Sequence, residues 1–443
     1  MDRPHGSARE DGLDAALLPR GARAVTRALT DRIALANGWT GGQYSLFRIV
    51  LGLYLAVHFA NLVPYGPELF SSQGSLPDAQ ASPLAYAFPN VLSFFDPPSF
   101  VVAFLLAAVA ASVLLVLGYH DRAAAVFLWY VWACLFGRNP LIGNPGLPYV
   151  GFLLLAHAFL PPAPYGSLAA RGRRDPGGDW RLAPGIFGVA WILMAVGYSY
   201  SGLTKLVSPS WTDGSALARV LDNPLARPGI FREALFRLPD LLLRLGTWGA
   251  LLLEILFAPL ALIRRLRPWL WLALLLLHLS LLLIVGFADL SLGMVLLHFF
   301  TFDPGWVKAK PGGVERLFYD GTCALCHGAV RFVLAEDPEG KALRFAPLDS
   351  EAYRKVAPAE ALPDSLVVVT SDGRLLTRSE GGLHVLERLG GLWRIVAALC
   401  RPVPRPLRDA AYDLVARVRY RVFGRKEEAC PLIPPALRGR FDL

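Results

Sequence analysis

The chain has 443 residues, 54% of them hydrophobic and only 18% charged, and carries a net charge of +9. Soluble domains carry nearer about a quarter of charged residues, so an ordinary soluble multidomain protein is excluded. The arginines fall in short loops between apolar runs rather than along one face, which argues against a nucleic-acid binder and for the positive-inside bias of membrane proteins.

Residues 1–40 hold no apolar stretch suited to a cleavable signal peptide. Arg20, Arg23, Arg27 and Arg32 mark them as a cytoplasmic N-terminal segment with room for an amphipathic surface helix. Residues 41–305 then read as a multi-span membrane domain. A bilayer core of about 30 Å needs about 20 apolar helical residues to cross it. Eight apolar spans are predicted: Tyr44–Val63, Phe100–Leu117, Ala123–Phe136, Pro148–Leu160, Gly185–Leu203, Thr247–Ile263, Trp269–Phe287 and Leu290–Phe302. The third, fourth and eighth are short, as in re-entrant or tightly packed segments.

With the N-terminus inside, the inner connections hold Arg122, then Arg171, Arg173 and Arg174, then Arg264, Arg265 and Arg267, then Lys308 and Lys310, while the outer loop from Pro64 to Pro98 holds no Lys or Arg. An even number of spans returns the C-terminus to the cytoplasm, so the expected location is the cell membrane, with the lipid bilayer itself as one partner. The outer segment from Thr204 to Gly246 breaks the pattern with Lys205, Arg219, Arg227, Arg232, Arg237 and Arg244. Its Leu235, Phe236, Leu238, Leu241, Leu242, Leu243 and Leu245 suggest that part of it lies in the membrane interface.

Ionisable residues inside spans need a reason to be there. Lys205 ends the run from Tyr198 to Leu206 and is followed by Trp211 and Gly214. Partial desolvation is how a lysine becomes a base; snorkelling of its head to water is the simpler account on residue chemistry alone. His58, His157, His278 and His298 show no i, i+4 pair within a span, so packing or isolated hydrogen bonds explain them better than a haem or metal site. Arg48 and Glu254 should face the bundle interior, Arg48 with a carboxylate as one candidate partner.

After a linker at 306–313 the composition becomes that of a soluble domain, 314–443. Glu315 to Asp320 reads as a strand, Gly321-Thr322 as a turn, and Cys323-Ala324-Leu325-Cys326 as the start of a helix. A thiol at a helix N-terminus faces unpaired N–H groups that stabilise its anion. Cys323, read as the more exposed thiol, is the expected nucleophile, and Cys326, one turn in, the resolving thiol. Asp320 is either a carboxylate that assists proton transfer or a turn residue. The pair with His327 could instead be half of a zinc site, but no second ligand pair follows; no metal is expected. A relic pair in a structural domain is a further alternative. Cys134, Cys400 and Cys430 read as bland thiols. Beyond the helix come a strand at Leu343–Ala346, Pro363 before a strand from Ser365 to Thr370, an Asp372-Gly373 hairpin turn, a strand at Leu375–Thr377 and a helix capped by Ser379 that runs to Leu389. That is the element order of a thioredoxin fold. The predicted class is therefore a polytopic α-helical membrane bundle followed by an α/β thioredoxin-like domain.

The segment from Asp320 to Cys326 resembles the Asp-x-x-Cys-x-x-Cys signature of the DCC family of thiol-disulfide oxidoreductases. Supporting segments are Phe345–Ser350, Asp364–Val368, Arg408-Asp409, Tyr412-Asp413, Ala416-Arg417, Arg419–Arg421 and Phe423–Arg425, then Cys430. The resemblance implies redox chemistry at Cys323 and Cys326. If Pro363 matches the proline that faces the thiols in such folds, its peptide bond should be cis. Gly202–Leu206 with Trp211 and Gly214, and Ser45–Gly52, resemble the vitamin-K-dependent γ-carboxylase-like (HTTM) membrane domain. That resemblance implies a quinone as cofactor or partner and Lys205 as the base that deprotonates it. The active-site Asn-Asn-His of the carboxylases is missing, because the matching stretch, Arg138–Gly146, has no His. No phosphate loop, nucleophile elbow or His-Glu-x-x-His motif is present. The expected function is a membrane-bound thiol-disulfide oxidoreductase exchanging electrons with a protein thiol or a quinone. The alternatives are a carboxylase-like quinone-dependent enzyme fed by the tail, and a non-enzymatic scaffold or transporter.

Overall fold

A computed structural model describes residues 37–84, 87–173, 176, 178–358, 365–425 and 435–442. The expectations for Arg20, Arg23, Arg27, Arg32, Arg174, Pro363, Asp364 and Cys430 lie outside the described residues. Eight main helices build the first part: α1 Gly41–Leu62, α2 Pro98–Leu117, α3 Asp121–Arg138, α4 Leu147–Phe159, α5 Pro184–Lys205, α6 Asp240–Ala261, α7 Arg267–Ile284 and α8 Asp289–Thr301. Each predicted span is thus helical. Among the described residues five helices are long and apolar enough to cross a membrane: α1 with its continuation to Phe70, α2, α5, α6 and α7. At 13 residues each, α4 and α8 reach only about 20 Å. Pro161-Pro162 halts α4, since the residue before a proline avoids helical angles. The 18-residue α3 carries Asp121 and Arg122 at one end and Arg138 at the other.

Leu241, Leu242, Leu243 and Leu245 form the first turns of α6. Pro239 sets the start of the helix, and an Asp240–Arg244 pair at 2.6 Å, one turn apart, supports it. Leu235 and Phe236 instead end a short helix, Ile230–Phe236.

One continuous core joins the helices, with Trp39, Tyr44, Phe47, Leu51, Leu55 and Phe59 buried along α1 and its entry. Arg48 is fully buried in it and donates to the carbonyls of Leu115, Val116 (2.6 Å) and Gly166 (3.5 Å) rather than to a carboxylate. The physical reason is the end of α2. Its last carbonyls have no intrahelical partner, and a guanidinium there satisfies them and the negative end of the helix together. Each such charged hydrogen bond contributes about 1.5–3 kcal/mol.

The histidines take individual hydrogen bonds and ring contacts from neighbouring helices. His157 lies between the Tyr44 hydroxyl (2.6 Å) and Asp121 (3.3 Å), and His58 pairs with Asp289 at 3.0 Å. His278 and His298, from α7 and α8, meet with ring centres 5.8 Å apart. Partners on neighbouring helices supply what spacing within one helix could not.

The second part is a small mixed sheet with helices. Strands β1 Glu315–Tyr319, β2 Leu343–Pro347, β3 Val367–Val369 and β4 Leu375–Thr377 lie in the order β2-β1-β3-β4. β1 is parallel to β2 and antiparallel to β3, and β3 is antiparallel to β4. β3 is shorter than the predicted Ser365–Thr370. Helix α9, Ala324–Glu336, makes the crossover from β1 to β2. α10 Arg378–Leu389, α11 Gly391–Cys400 and α12 Arg405–Phe423 follow. The cap of α10 is Thr377, the last residue of β4, and Ser379 lies inside the first turn, where it bonds Asp409 of α12.

The sheet domain docks on the bundle end where α1 begins. Buried Glu336, the last residue of α9, accepts the Gly42 N–H (2.9 Å), the Trp393 indole N–H (2.5 Å) and the Thr40 hydroxyl. Gln43 accepts the Leu392 N–H at 2.8 Å, and the Tyr165 hydroxyl donates to the Gly328 carbonyl at 3.1 Å. Gly391 has φ +56°, and a Cβ there would fall 2.4 Å from Gln43 Oε1, so only glycine allows this approach.

Candidate redox site

The site is built where β1 hands over to α9. Asp320 Oδ1 accepts both the backbone N–H and the hydroxyl of Thr322 at 2.9 Å, the side-chain turn that aspartate favours. The chain then enters α9 with Cys323 as its cap, extended at φ −93°, ψ 118°. Its sulfur accepts the N–H of Cys326 at 3.3 Å, in the position an oxygen cap normally takes. Asp320, Cys323 and Cys326 bring one carboxylate oxygen and two sulfurs within 4.8 Å of one another, and both cysteines are free thiols. Three of the four predicted site residues therefore meet.

Their exposure is the reverse of the expected one. Cys323 is 0% exposed, while Cys326 is half-buried and faces a cavity of about 360 Å³. The cause lies a hundred residues downstream. The chain leaving α12 returns over the cap, Arg425 forms a β-bridge with Cys323, and the Ala324 N–H reaches the Gly424 carbonyl at 3.4 Å. Burial pushes the Cys326 thiol up, its bond with Cys323 and the charge of Asp320 add to this, and Arg419 opposes it. Cys326 is therefore a neutral thiol in the reduced protein.

Asp320 has further partners that sequence reasoning did not assign. Arg419, 4% exposed, pairs with Oδ2 at 3.0 Å, and the Tyr420 hydroxyl donates to the same oxygen. Burial raises the carboxyl, but the bonds from Tyr420, Thr322 and Arg419 outweigh it and hold Asp320 below the usual carboxylate range. Ionised in this way, it acts as a hydrogen-bond acceptor for Thr322, Arg419 and Tyr420. Arg419–Arg421 and Phe423–Arg425 were legible only as family-like segments; here Arg419, Tyr420, Gly424 and Arg425 form the second wall of the site.

Among the described residues the donor set does not suit zinc. Asp320, Cys323 and Cys326 offer three ligands, but Arg419 already neutralises that carboxylate, and His327 turns Nε2 to the Gly321 carbonyl at 2.7 Å. Zinc sites of the structural kind need four nitrogen or sulfur ligands.

Lys205 belongs to another place. It pairs with Glu254 of α6, approaches Ser201 Oγ at 3.2 Å and lies 4.6 Å over the Trp211 ring. Tyr198, His278 and His298 form an adjoining triangle with ring centres 5.8 Å apart. Trp191, earlier in α5, packs on Trp306 at the docked end; Lys205 lies four turns further along, roughly 20 Å. Leu141, Ile142, Gly143 and Asn144, from the stretch that lacks the carboxylase histidine, line a separate cavity of about 370 Å³ with His58, Trp132 and Asp289.

Comparison with known proteins bears on the sheet domain. The family described as DCC1-like thiol-disulfide oxidoreductase matches residues 317–425. The uncharacterized protein YuxK of Bacillus subtilis (strain 168) is 39% identical over 129 residues, 28% of this chain and 91% of that protein. A chloroplastic DCC family protein of Arabidopsis thaliana is 32% identical over 135 residues, 29% of this chain and 77% of the other. No solved structure matches the chain. Two sulfurs at a helix start, an aspartate three residues ahead and these matches place the chain in the DCC1-like thiol-disulfide oxidoreductase family.

Proposed function

We propose that the chain is a membrane-bound thiol-disulfide oxidoreductase in which Cys323 and Cys326 cycle between dithiol and disulfide. The observation that carries this reading is the pair of sulfurs at the start of α9, close together and beside an open cavity. The strand order β2-β1-β3-β4 supports the thioredoxin-like class for residues 314–443. Five helices of crossing length support an integral membrane domain over 41–305. The docked end also carries Arg173, whose carbonyl is bonded by Arg331, and Arg267, which covers Trp191. By the positive-inside rule that end is cytoplasmic, which gives the sheet domain a cytoplasmic position.

The electron partner in this reading is a protein thiol or a quinone in the bilayer. The test uses the purified full chain with dithiol reductant and menaquinone in detergent. Quinol formation above the level of Cys323→Ser supports the coupling, and equal rates remove the quinone. A second reading, a quinone-dependent enzyme resembling the HTTM carboxylases, is favoured by the Lys205–Glu254 pair with Tyr198, His278 and His298 beside it. It predicts quinone-dependent activity that survives Cys323→Ser and is lost in Lys205→Ala.

A further inference from the structure

We infer that the exchange partner's sulfur is taken at Cys326, not Cys323, and that the partner is a small thiol or disulfide whose uncharged, apolar body fills the cavity beside it. This rests on the redox reading above and replaces its protein thiol with a small molecule.

Accessibility decides which sulfur is met. Cys323 is sealed by Gly424 and Arg425, whereas Cys326 stands in the wall of the 360 Å³ cavity. That volume lies within the roughly 300–1,000 Å³ of small-molecule sites. Its walls are carbon: Leu325, Ala329, Phe332, Leu366, Val415 and Ala416. The charges that reach it, Asp320 and Arg419, are spent on each other at 3.0 Å. A charged thiol would lose its hydration there without a free counter-charge. Cys326 lies in the wall of this cavity, so an incoming sulfur has to enter the cavity to come within about 2 Å, the length of the bond it forms.

The chemistry balances with the thiol as the only co-reactant. A partner thiolate attacks the Cys326 sulfur of the Cys323–Cys326 disulfide. The partner–Cys326 bond forms, the Cys323–Cys326 bond breaks, and the electron pair leaves on Cys323. That charge meets the Cys326 N–H, 3.3 Å away in the dithiol form, and the positive end of α9. A leaving group stabilised in this way leaves faster. A second partner thiolate then attacks the partner's sulfur in the mixed disulfide and releases Cys326, and the two protons of the partner thiols end on the two cysteines. The sum is two thiols oxidised to one disulfide and the protein disulfide reduced to a dithiol.

The test compares benzyl mercaptan with 2-mercaptoethanesulfonate as reductants of the oxidised full chain in detergent, at equal thiolate concentration. Benzyl mercaptan should react about tenfold faster or more, from the apolar area it buries, and Ala416→Trp should erase the difference. Because the ratio is read in the unaltered chain, it stands even where the tryptophan variant fails to fold. With dibenzyl disulfide, Cys323→Ser should yield a mixed disulfide on Cys326, located by peptide mass, and Cys326→Ser should yield none on Cys323. Equal rates for the two thiols, or an adduct on Cys323, overturn the inference while the redox reading stands. An unaltered chain that no thiol reduces or oxidises overturns the redox reading itself.

Discussion

At the scale of single residues the site depends on one carboxylate. Asp320 ties the turn through Thr322 and neutralises Arg419, which is nearly fully buried. Asp320→Asn leaves that guanidinium without its counter-charge and should cost about 3 kcal/mol, the usual price of breaking a buried pair. Thermal unfolding of the variant and the parent measures it. The pH dependence has a definite sign. Asp320 is depressed in the fold, so its contribution is complete above its ordinary value near 3.8 and is lost as the pH falls below that. Acid unfolding of the parent should show this loss, and Asp320→Asn should lack it. The sequence made the cysteines, the aspartate and the turn legible because they are neighbours whose chemistry is local. It did not make the exposure of the two thiols legible, because Gly424 and Arg425 decide it from a hundred residues away. Lys205 was legible as unusual, but its Glu254 partner sits on another helix.

Elements show the same division. The start of α9, the hairpin of β3 and β4 and the eight apolar helices were readable from period and turn chemistry. Helix lengths were less so: α6 reaches back to Asp240 because nothing after Pro239 breaks it, and β3 shrinks to the residues that find partners on β1 and β4. The docking of the domain was not readable at all, since Glu336 reads in sequence as an ordinary helix-end carboxylate. Glu336→Ala leaves the Gly42 N–H, the Thr40 hydroxyl and the Trp393 indole without their acceptor, at about 1–3 kcal/mol for each group that water does not reach. The domain should then loosen from the bundle, seen as faster amide exchange at Gly42 and Leu392 with unchanged exchange in β1. Burial raises the Glu336 carboxyl despite its bonds to Thr40, Trp393 and Gly42. The contact is therefore firmest below its ordinary value of 4.5 and weakens as the pH climbs through the raised one.

The whole molecule joins an apolar bundle to a redox domain held at one end of it. Five helices of crossing length predict that the chain stays in the membrane fraction through an alkaline carbonate wash; release into the supernatant would contradict a spanning bundle. The proposed orientation has its own test in Cys400, an exposed thiol of the sheet domain. A membrane-impermeant maleimide should leave it unlabelled in intact cells and label it after lysis. Labelling in intact cells would place the domain on the outside. The roughly 20 Å between Lys205 and the docked end separates any chemistry at Lys205 from the cysteines, so a carrier that moves through the bilayer would have to link them.

In the proposed function Cys323 and Cys326 form one reversible redox couple. Purified full chain equilibrated in dithiol–disulfide buffers, then alkylated and read peptide by peptide, tests it most directly. Both cysteines should lose and regain alkylation together at a single potential, with the two-electron slope of about 30 mV per tenfold change in ratio. Alkylation of either cysteine that stays constant across buffers from about −120 to −300 mV, or a disulfide from one of them to Cys400 instead, would contradict it.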